Sequence, residues 1–273
     1  MTGGCRAGWP DWLPIICIRS NQRFMELTNR TVLITGGSGG IGLGLAEAFY
    51  RRKSQVIICG RDPRKLAAAE KNLPGLTAIR CDVGEASQRA ELAREVLQRF
   101  PGLDILVNNA GVQRTIDLKK GYEELKTGED ETAINFTGVV ELTSLFIGHL
   151  LQKPAAAVIN VSSALGLMPM ARMPVYCATK AALHTYSLAL RVQLKGTPVR
   201  VVEILPPGVE TDLNRAGRAS NPNRHYGISV AEYIPGVLAG LESGAETIFH
   251  GDGVKLLSEP RNVSETRLLD PSW

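Results

Sequence analysis

Residues 32–49 read VLITGGSGGIGLGLAEAF, and this stretch decides the fold class. An apolar, β-branched run typical of a buried strand leads into a glycine-rich turn and then into an amphipathic helical pattern. The turn fits the spacing G-x-G-x-x-G from Gly37 and T-G-x-x-x-G-x-G from Thr35. Glycines here let the backbone turn sharply, admit a pyrophosphate group and let the helix pack closely on the strand. Because free N–H groups at a helix N-terminus bind phosphate, the stretch predicts a dinucleotide-binding site.

Short apolar runs and longer helical patterns alternate along the rest of the chain. The predicted strands are residues 31–35, 55–59, 77–81, 104–107, 156–161, 200–204 and 246–249. The predicted helices are residues 40–52, 63–72, 87–100, 121–151, 174–195 and 229–243. Strands that are apolar almost throughout are typical of a sheet buried on both faces. The pattern therefore predicts a doubly wound α/β fold, with about seven parallel strands in the order 3-2-1-4-5-6-7.

Residues 25–257 are predicted to form a single domain of this type. Residues 1–24 differ in composition, with two of the three Trp residues of the chain, and their apolar run 13–18 is too short for a signal peptide. We expect residues 1–24 to be a poorly ordered extension or to precede the natural start at Met25. Residues 258–273 are expected to form a C-terminal tail, and the polar stretch 218–227 a mobile loop.

Charge and cysteine usage exclude several classes of function. The net charge of +4 is small and scattered, and its densest run, residues 51–53, is interpreted as a solvated helix face, so no nucleic-acid partner is predicted. The five Cys residues form neither a CxxC pair nor a metal-binding spacing with the four His residues. They are typical of reduced thiols, which favours a cytoplasmic location and no metal site. The most apolar stretch, residues 155–171, is interrupted by polar residues, so no membrane span is predicted.

The end of the second predicted strand bears on cofactor preference. A carboxylate at this position would bind a ribose 2′-hydroxyl group and repel a 2′-phosphate. Here Gly60 stands at the end of the strand and Arg61 follows it, and a guanidinium group pairs well with phosphate. The sequence therefore favours NADP(H). The alternative is NAD(H), with Asp62 bound to the ribose.

Two further loops follow predicted strands. Asp82-Val83 places a carboxylate where an adenine amino group could reach it. In LVNNAGV, Asn108 and Asn109 can bond to loop backbone, while Ala110 and Gly111 leave space for a ribose. A plain β-turn is the alternative interpretation of the second loop.

Tyr176 and Lys180 lie four residues apart in a predicted helix, so they share one face. A nearby ammonium group favours phenolate, which would lower the Tyr176 pKa towards neutrality and make the phenol a general acid and base. This chemistry moves a proton to or from a carbinol oxygen while a nicotinamide transfers hydride. Since Tyr-x-x-x-Lys occurs by chance in about one chain in three of this length, the argument depends on the surrounding motifs.

Two further polar residues are candidate site residues only because Tyr176 and Lys180 are present. Asn135 lies within a predicted helix, where an Asn is usually solvated or makes a local packing bond. Ser163 follows the fifth predicted strand, where a Ser is most often a cap or turn residue.

Together these motifs resemble the short-chain dehydrogenase/reductase family, over residues 27–249. The resemblance is carried by TGGSGGIG, Asp82, NNAG, Asn135, Ser163, YCATK and PPGVET, in this order. It implies that Tyr176 donates a proton to the carbonyl oxygen and that Lys180 bonds to the nicotinamide ribose and lowers the Tyr176 pKa. It also implies that Ser163 holds the substrate oxygen and that Asn135 supports a water molecule leading to Lys180.

The same resemblance implies the cofactor site and the reaction. The implied cofactor-binding residues are Gly36, Ser38, Gly39, Gly40, Ile41, Gly42, Arg61, Asp82, Val83, Asn108, Ala110, Gly111, Tyr176, Lys180, Pro207, Gly208, Val209 and Thr211. Of these, the last four would flank the nicotinamide. The reaction would be the interconversion of a small carbonyl compound and an alcohol, by a cytoplasmic homodimer or homotetramer.

Two departures from the family pattern point to the subgroup described as DltE-like. PPGVETDL is one residue shorter than the common PGxxxT pattern, and the C-terminal region reads HGDGVKLLSEP instead of the usual VDGG. A non-catalytic NADP(H)-binding regulator on the same fold is the alternative function. Such relatives usually lack the Tyr or the Lys, whereas this chain has both.

Overall fold

The protein is described by a computed structural model for residues 17–19, 25–213 and 227–250. Its strands are β1 (Cys17–Arg19), β2 (Thr31–Thr35), β3 (Gln55–Gly60), β4 (Thr77–Arg80), β5 (Ile105–Asn108), β6 (Ala156–Val161), β7 (Val199–Leu205) and β8 (Ala245–Phe249). Its helices are α1 (Gly40–Arg51), α2 (Pro63–Asn72), α3 (Ala86–Arg99), α4 (Tyr122–Lys126), α5 (Gly138–Leu150), α6 (Pro174–Gln193) and α7 (Val230–Glu242). The predicted C-terminal tail and most of the predicted mobile loop lie outside these ranges, as does most of the predicted extension.

All strands belong to one sheet, in the order β1-β8-β7-β6-β5-β2-β3-β4. From β2 to β8 the pairing is parallel, which confirms the doubly wound fold and the predicted order of seven strands. An eighth strand was not predicted. The backbone of β1 pairs antiparallel with β8 and covers part of its outer edge.

The sheet is buried on both faces, as parallel strands require. Successive residues of one strand point to opposite layers. In β2, Val32 and Ile34 join the layer that also contains Phe49 of α1, whereas Leu33 joins the opposite layer with Phe146 of α5. Each face therefore has its own hydrophobic core. The carboxyl ends of the strands lie between the two cores, where the candidate functional site is found.

The predicted helix 121–151 is wrong, because the chain leaves the helix between α4 and α5. Gly128 has φ of +81°, a conformation that breaks a helix. Asp130 then accepts hydrogen bonds from the backbone N–H groups of Thr132 (2.8 Å) and Ala133 (3.0 Å), as a new N-terminal cap. The apolar periodicity on both sides concealed this interruption. The ends of the other predicted helices and strands differ by at most two residues.

Residues Ala133–Leu150 are long and apolar enough to cross a membrane, judged by length and composition alone. This corrects the prediction that no segment reaches such a span. The core helix of a soluble protein passes the same test, and Leu142, Phe146 and Leu150 of this segment are buried in the core. The segment is therefore weak evidence for a membrane span.

Removal of residues 1–24 is expected to leave a folded protein. Met25 and Leu27 are the first residues of the described core, and both are buried against it. The deletion removes β1, which contributes three residues at one edge of the sheet. We expect the thermal unfolding midpoint and circular dichroism spectrum of a variant starting at Met25 to stay close to those of the full chain. Aggregation or a large fall of the midpoint would contradict this, because it would mean that β1 protects the edge of β8.

Candidate active site

The predicted site motifs follow the carboxyl ends of parallel strands and therefore meet at one edge of the sheet. The chain runs from β2 outwards to β4 and then returns to β5 on the other side of β2. The order of strands reverses at this point, which leaves a crevice between the loops after β2 and β5. In doubly wound sheets, ligands bind at this position.

The glycine turn after β2 is packed on one side and open on the other. Gly36 has φ of +64°, and a Cβ atom there would lie 2.9 Å from the Ala110 Cα atom. Gly40 also has a positive φ, of +53°. A Cβ atom on Gly39 would meet nothing within 4 Å among the described residues. Since Gly39 is the N-cap of α1 and has no side chain, the first N–H groups of α1 face this open side.

The rest of the glycine turn also lies where the sequence predicted it. Ile41 and Gly42 form the first turn of α1, and a Cβ atom on Gly42 would lie 2.4 Å from the Asn109 Nδ2 atom. The Ser38 hydroxyl lies 3.0 Å from the place of a Cβ atom on Gly60, at the end of β3. The turn therefore contacts the loops after both neighbouring strands.

Hydrogen bonds hold the loop after β5 against this turn. The backbone N–H groups of Asn109 and Ala110 both donate to the Thr35 hydroxyl, each at 3.0 Å. The Asn109 side chain donates to the Thr35 carbonyl at 2.9 Å. The prediction that this Asn bonds to loop backbone is confirmed.

Asn108 is placed differently from the expectation for a cofactor-binding side chain. It is 1% exposed, and its Nδ2 atom donates to Thr143 Oγ1 (3.2 Å) and Asn160 Oδ1 (2.9 Å). Asn108 is the last residue of β5. Its side chain points into the layer between the sheet and α5, where it contacts Thr143. Only the backbone of Asn108 is therefore left on the side of the crevice.

Arg61 lies at the end of β3 and is half-exposed. Its guanidinium bonds to Glu129 and lies 3.7 Å from Asp82 Oδ2. Asp62 is engaged elsewhere, since its carboxylate caps α2 by accepting from the backbone N–H groups of Arg64 (2.9 Å) and Lys65 (3.4 Å). Of the two charged residues that follow β3, Arg61 is therefore the one that does not cap a helix.

Asp82 and Val83 are held by the turn that leads from β4 into α3. Asp82 Oδ1 accepts from the Gly84 N–H group at 2.8 Å, and the Asp82 N–H group donates to Gln88 Oε1 at 2.8 Å. The Val83 carbonyl accepts from Arg89 Nη1 at 2.7 Å. The remaining carboxylate oxygen of Asp82 faces Arg61.

The PPGVET loop after β7 reaches the glycine turn. Thr211 Cγ2 lies 3.0 Å from the place that a Cβ atom on Gly40 would occupy. Val209 forms a parallel bridge with Ile228, and the Ile228 N–H group donates to the Gly208 carbonyl at 3.0 Å. This contact holds the PPGVET loop against the residues that lead into α7.

The other end of this loop adjoins the loop after β6. The Pro206 carbonyl accepts from the Ala164 N–H group at 3.0 Å, which places the half-buried Pro207 beside the segment of Ser163. Ser163 lies two residues after the end of β6 and accepts from the Leu165 N–H group at 3.1 Å, as the cap of a 3₁₀ turn, Ala164–Gly166. The interpretation of Ser163 as a cap is therefore confirmed.

Tyr176 and Lys180 lie on one face of α6, both buried, at 5% and 4% exposure. Lys180 Nζ lies 5.8 Å from the centre of the Tyr176 ring and donates to the Val161 carbonyl at 2.8 Å. The Tyr176 phenol lies close enough to the Ser163 side chain for Ser163 to lower its pKa. Ser163, Tyr176 and Lys180 are thus brought together at the carboxyl end of β6.

Asn135 connects the loop after β5 to α6 through hydrogen bonds. Its Oδ1 atom accepts from the Val112 N–H group (2.8 Å), and its Nδ2 atom donates to the Val112 carbonyl (2.9 Å) and to Thr179 Oγ1 (3.1 Å). The Thr179 hydroxyl donates in turn to the Tyr176 carbonyl at 2.7 Å. Asn135 lies in a π-helical turn, Ala133–Thr137, a distortion found frequently at functional sites.

Gly111 keeps the space between these side chains open. A Cβ atom there would lie 3.3 Å from Asn135 Oδ1 and 3.6 Å from Lys180 Nζ. A larger side chain at this position would therefore enter the space next to the Lys180 ammonium group.

The pKa values of Tyr176 and Lys180 are set chiefly by burial. Burial raises the pKa of Tyr176 to about 12, and the neighbouring Ser163 side chain opposes this rise only in part. The prediction that Lys180 lowers the Tyr176 pKa is not met, because the ammonium group is directed to the Val161 carbonyl. Burial also lowers the pKa of Lys180 to about 8, against the opposing charge of Glu203. At neutral pH the phenol is therefore neutral and most Lys180 side chains are charged.

Three polar residues beneath the site were missed by the sequence analysis: Glu203 and Ser162, which are buried, and His184, which is half-buried. Glu203 of β7 is fully buried and accepts from the Ser162 hydroxyl at 2.5 Å, and its other oxygen lies 2.8 Å from His184 Nδ1. The signals were present: an acidic residue in the apolar run VVEIL, and a His four residues after Lys180 on the same helical face.

Glu131 is a second buried carboxylate that was missed. Its Oε1 atom accepts from the Arg114 N–H group at 2.9 Å, and its Oε2 atom has no hydrogen-bond partner among the described residues. Burial raises the pKa of Glu131, and its charge acts on Tyr176 in the direction that raises the phenol pKa. Glu131 therefore favours the neutral phenol.

Replacement of Lys180 by Met is expected to change how stability depends on pH. In the folded protein the Lys180 pKa is about 8, below its ordinary value of 10.5. Between these values the unfolded chain binds a proton that the folded protein does not, so stability rises with pH across this window. The penalty is fully present below pH 8 and corresponds to roughly 3 kcal/mol. Lys180→Met should remove most of this rise, measured by urea unfolding at pH 7.5 and 10. An equal rise in both proteins would contradict the assignment.

Comparison with known proteins identifies relatives that are similar to this chain over most of its length. A family model described as short chain dehydrogenase matches residues 30–222. The chain is 49% identical over 224 residues to "Uncharacterized oxidoreductase DltE" of Bacillus subtilis (strain 168), covering 82% of this chain and 89% of that relative. It is 34% identical over 200 residues to "15-hydroxyprostaglandin dehydrogenase [NAD(+)]" of Homo sapiens, covering 69% of this chain and 71% of that protein.

Among solved structures, a short chain dehydrogenase from Burkholderia cenocepacia J2315 in complex with NADP has a similar fold. The TM-score is 0.77 at 26% sequence identity, covering 90% of this chain and 100% of that one. The match therefore extends over the sheet, the glycine turn and the loops that surround the crevice.

Proposed function

The chain belongs to the short-chain dehydrogenase family, as a member of its DltE-like type, and we propose that it is an NADP(H)-dependent oxidoreductase (EC 1.1.1.-) that interconverts a ketone or aldehyde and an alcohol. The observation that carries this proposal is the arrangement of Ser163, Tyr176 and Lys180. They lie together at the carboxyl end of β6, beside the crevice at which the glycine turn opens.

The crevice fits a dinucleotide cofactor. The first N–H groups of α1 face the open side of Gly39. Gly36 packs closely against Ala110, and because neither residue has a large side chain, space for the cofactor is left above them. Bound here, the nicotinamide would supply or accept the hydride. We propose that the predicted cofactor-binding residues surround the cofactor here, with Asn108 contributing no more than its backbone.

Arg61 supports NADP(H) over NAD(H). Its guanidinium stands at the end of β3 where a 2′-phosphate would lie, while Asp62 is occupied in capping α2. The NADP in the related Burkholderia structure agrees with this preference. NAD(H) remains the alternative cofactor, as in the name of the human relative.

The roles of the catalytic residues follow from their charge states. Tyr176 is neutral at physiological pH and donates its phenolic proton to the carbonyl oxygen during reduction. Ser163, which lies next to Tyr176, holds the same oxygen through its hydroxyl group. Lys180 carries its charge next to Gly111 and binds the nicotinamide ribose. Asn135 fixes α6 relative to the loop after β5.

This proposal is tested by the oxidation of NADPH with a panel of activated ketones and aldehydes. A fall of absorbance at 340 nm that depends on both protein and carbonyl compound is the expected result. NADPH binding without turnover of any substrate would favour the alternative, a non-catalytic regulator. The presence of all four catalytic residues supports the enzyme.

The protein is also proposed to act in the cytoplasm as a homodimer or homotetramer on a small-molecule substrate. Three large apolar side chains on α5 and α6 support self-association, because exposed apolar patches mark interaction sites. They are Leu145, Leu188 and Val192, with exposures of 42%, 43% and 74%. Light scattering of the purified protein would give the number of subunits.

A further inference from the structure

Glu203 is a charged residue in the interior of the sheet. It lies in the middle of β7, paired in register with Asn160 of β6 and Thr247 of β8, and its side chain is 0% exposed. Burial of a carboxylate is costly unless both oxygens find partners. Here one oxygen accepts from Ser162 and the other meets His184.

These two partners belong to the elements that carry the proposed catalytic residues. Ser162 directly precedes Ser163, and His184 lies one helical turn after Lys180 on α6. Three consecutive residues are thereby connected to this helix. The Val161 carbonyl bonds to Lys180, and Ser162 connects through Glu203 to His184. Ser163 lies next to Tyr176 and lowers the pKa of the phenol.

The charge of Glu203 also acts on Lys180. Burial lowers the pKa of Lys180, and the Glu203 carboxylate opposes this fall by favouring the ammonium form. His184 of α6 contacts Glu203 directly, and the charge of Glu203 also acts on Arg191 of the same helix. Arg191 Nε lies 3.7 Å from Glu246 Oε2, so Glu246 has a cation of its own.

We propose that Glu203 is a positioning residue for the reaction: its buried carboxylate fixes the segment of Ser163 against α6, and its charge keeps Lys180 in the ammonium form. This role rests on the function proposed above for Ser163, Tyr176 and Lys180. It explains why the otherwise apolar run VVEIL of β7 has a carboxylate beneath the site. Without the charge, Lys180 would become neutral at lower pH and lose the group that binds the ribose.

The variant Glu203→Gln removes the charge while keeping the size of the side chain. The measured quantity is the titration midpoint of Lys180, followed by NMR of protein labelled with ¹³C at lysine Cε. The Lys180 signal is assigned by its absence in Lys180→Met. We expect Glu203→Gln to lower the midpoint by at least about half a pH unit, or threefold in the protonation equilibrium. The alkaline limb of the pH profile for carbonyl reduction should move in the same direction.

Glu246→Gln is the matched control, because it removes a carboxylate from the neighbouring strand that is paired with Arg191. It should leave the Lys180 midpoint and the pH profile unchanged. Ser162→Ala keeps the Glu203 charge but removes its contact with the segment of Ser163. It should lower kcat several-fold without moving the midpoint.

An unchanged Lys180 midpoint in folded Glu203→Gln would overturn the proposed effect of the Glu203 charge on Lys180. An unchanged kcat in Ser162→Ala would overturn the proposal that Glu203 fixes the segment of Ser163 against α6. If Glu203→Gln does not fold, His184→Gln serves instead. It keeps the carboxylate and removes the imidazole, so a lowered midpoint there would contradict the proposal. The NMR titration needs no substrate. If no carbonyl compound is reduced, the proposed function fails while the titration still decides the charge effect of Glu203.

Discussion

Tyr176→Phe is expected to lower the rate of carbonyl reduction by roughly 10²–10⁴-fold, the usual contribution of a general acid. The phenyl ring keeps the packing of Tyr176, which is buried with Met173 and Cys177. The variant loses the proton that reduction requires, whereas the glycine turn and Arg61 are untouched. NADPH affinity should therefore change little. The measurements are kcat with a substrate from the carbonyl panel and NADPH binding by fluorescence titration.

Two neighbouring variants separate the roles of the other residues. Lys180→Ala should lose turnover and also weaken NADPH binding, because the ammonium group serves both. Ser163→Ala should lower turnover with NADPH binding intact. Reduction by Tyr176→Phe at the rate of the unmutated protein would refute the proposed mechanism, although the fold would stand.

Arg61→Ala is expected to erase most of the preference for NADPH over NADH. A charge-assisted hydrogen bond contributes roughly 1.5–3 kcal/mol, or about 10- to 150-fold in affinity. Arg61 is 48% exposed, and solvent screening places the expected effect towards the lower end of this range. NADH binding should remain nearly unchanged, because NADH has no 2′-phosphate. Dissociation constants for both cofactors, measured at one salt concentration, give the ratio.

Glu129→Gln provides the matched variant on the other side of this ion pair. Glu129 bonds to the guanidinium that the 2′-phosphate would need, so its charge competes with the phosphate. Its neutralisation should strengthen NADPH binding several-fold and leave NADH binding unchanged. Equal affinities for the two cofactors in the unmutated protein would refute the assignment of Arg61.

The architecture could be predicted from the sequence because it depends on local patterns. Apolar runs such as residues 156–161 were identified to the residue as a strand buried on both faces. The glycine turn fixed the position of β2 and α1, and the parallel order followed from general rules of chain connection. The predicted site residues also converge for this reason, since the carboxyl ends of parallel strands share one edge.

Other features depend on contacts between distant parts of the chain. The pairing of β1 with β8 joins residues more than 200 positions apart. The break before α5 depends on a capping Asp130 within a stretch whose periodicity reads as one helix. Asn108 and Asn109 are identical neighbours in the sequence, but the first points into the core and the second to the glycine turn.

The sequence by itself determined the seven parallel strands and the order in which they pair, and it indicated which residues lie near the crevice. Only the tertiary structure decided the chemical state of those residues. Lys180 was predicted to lower the Tyr176 pKa because the two share a helix face, but burial and the Val161 carbonyl prevail. The contacts of Glu203 with Ser162 and His184 also depend on the tertiary structure, because they join β7 to α6 and to the loop after β6. Periodicity is a local property of the chain, whereas the free energy of a charge depends on every group and on the water around it in three dimensions.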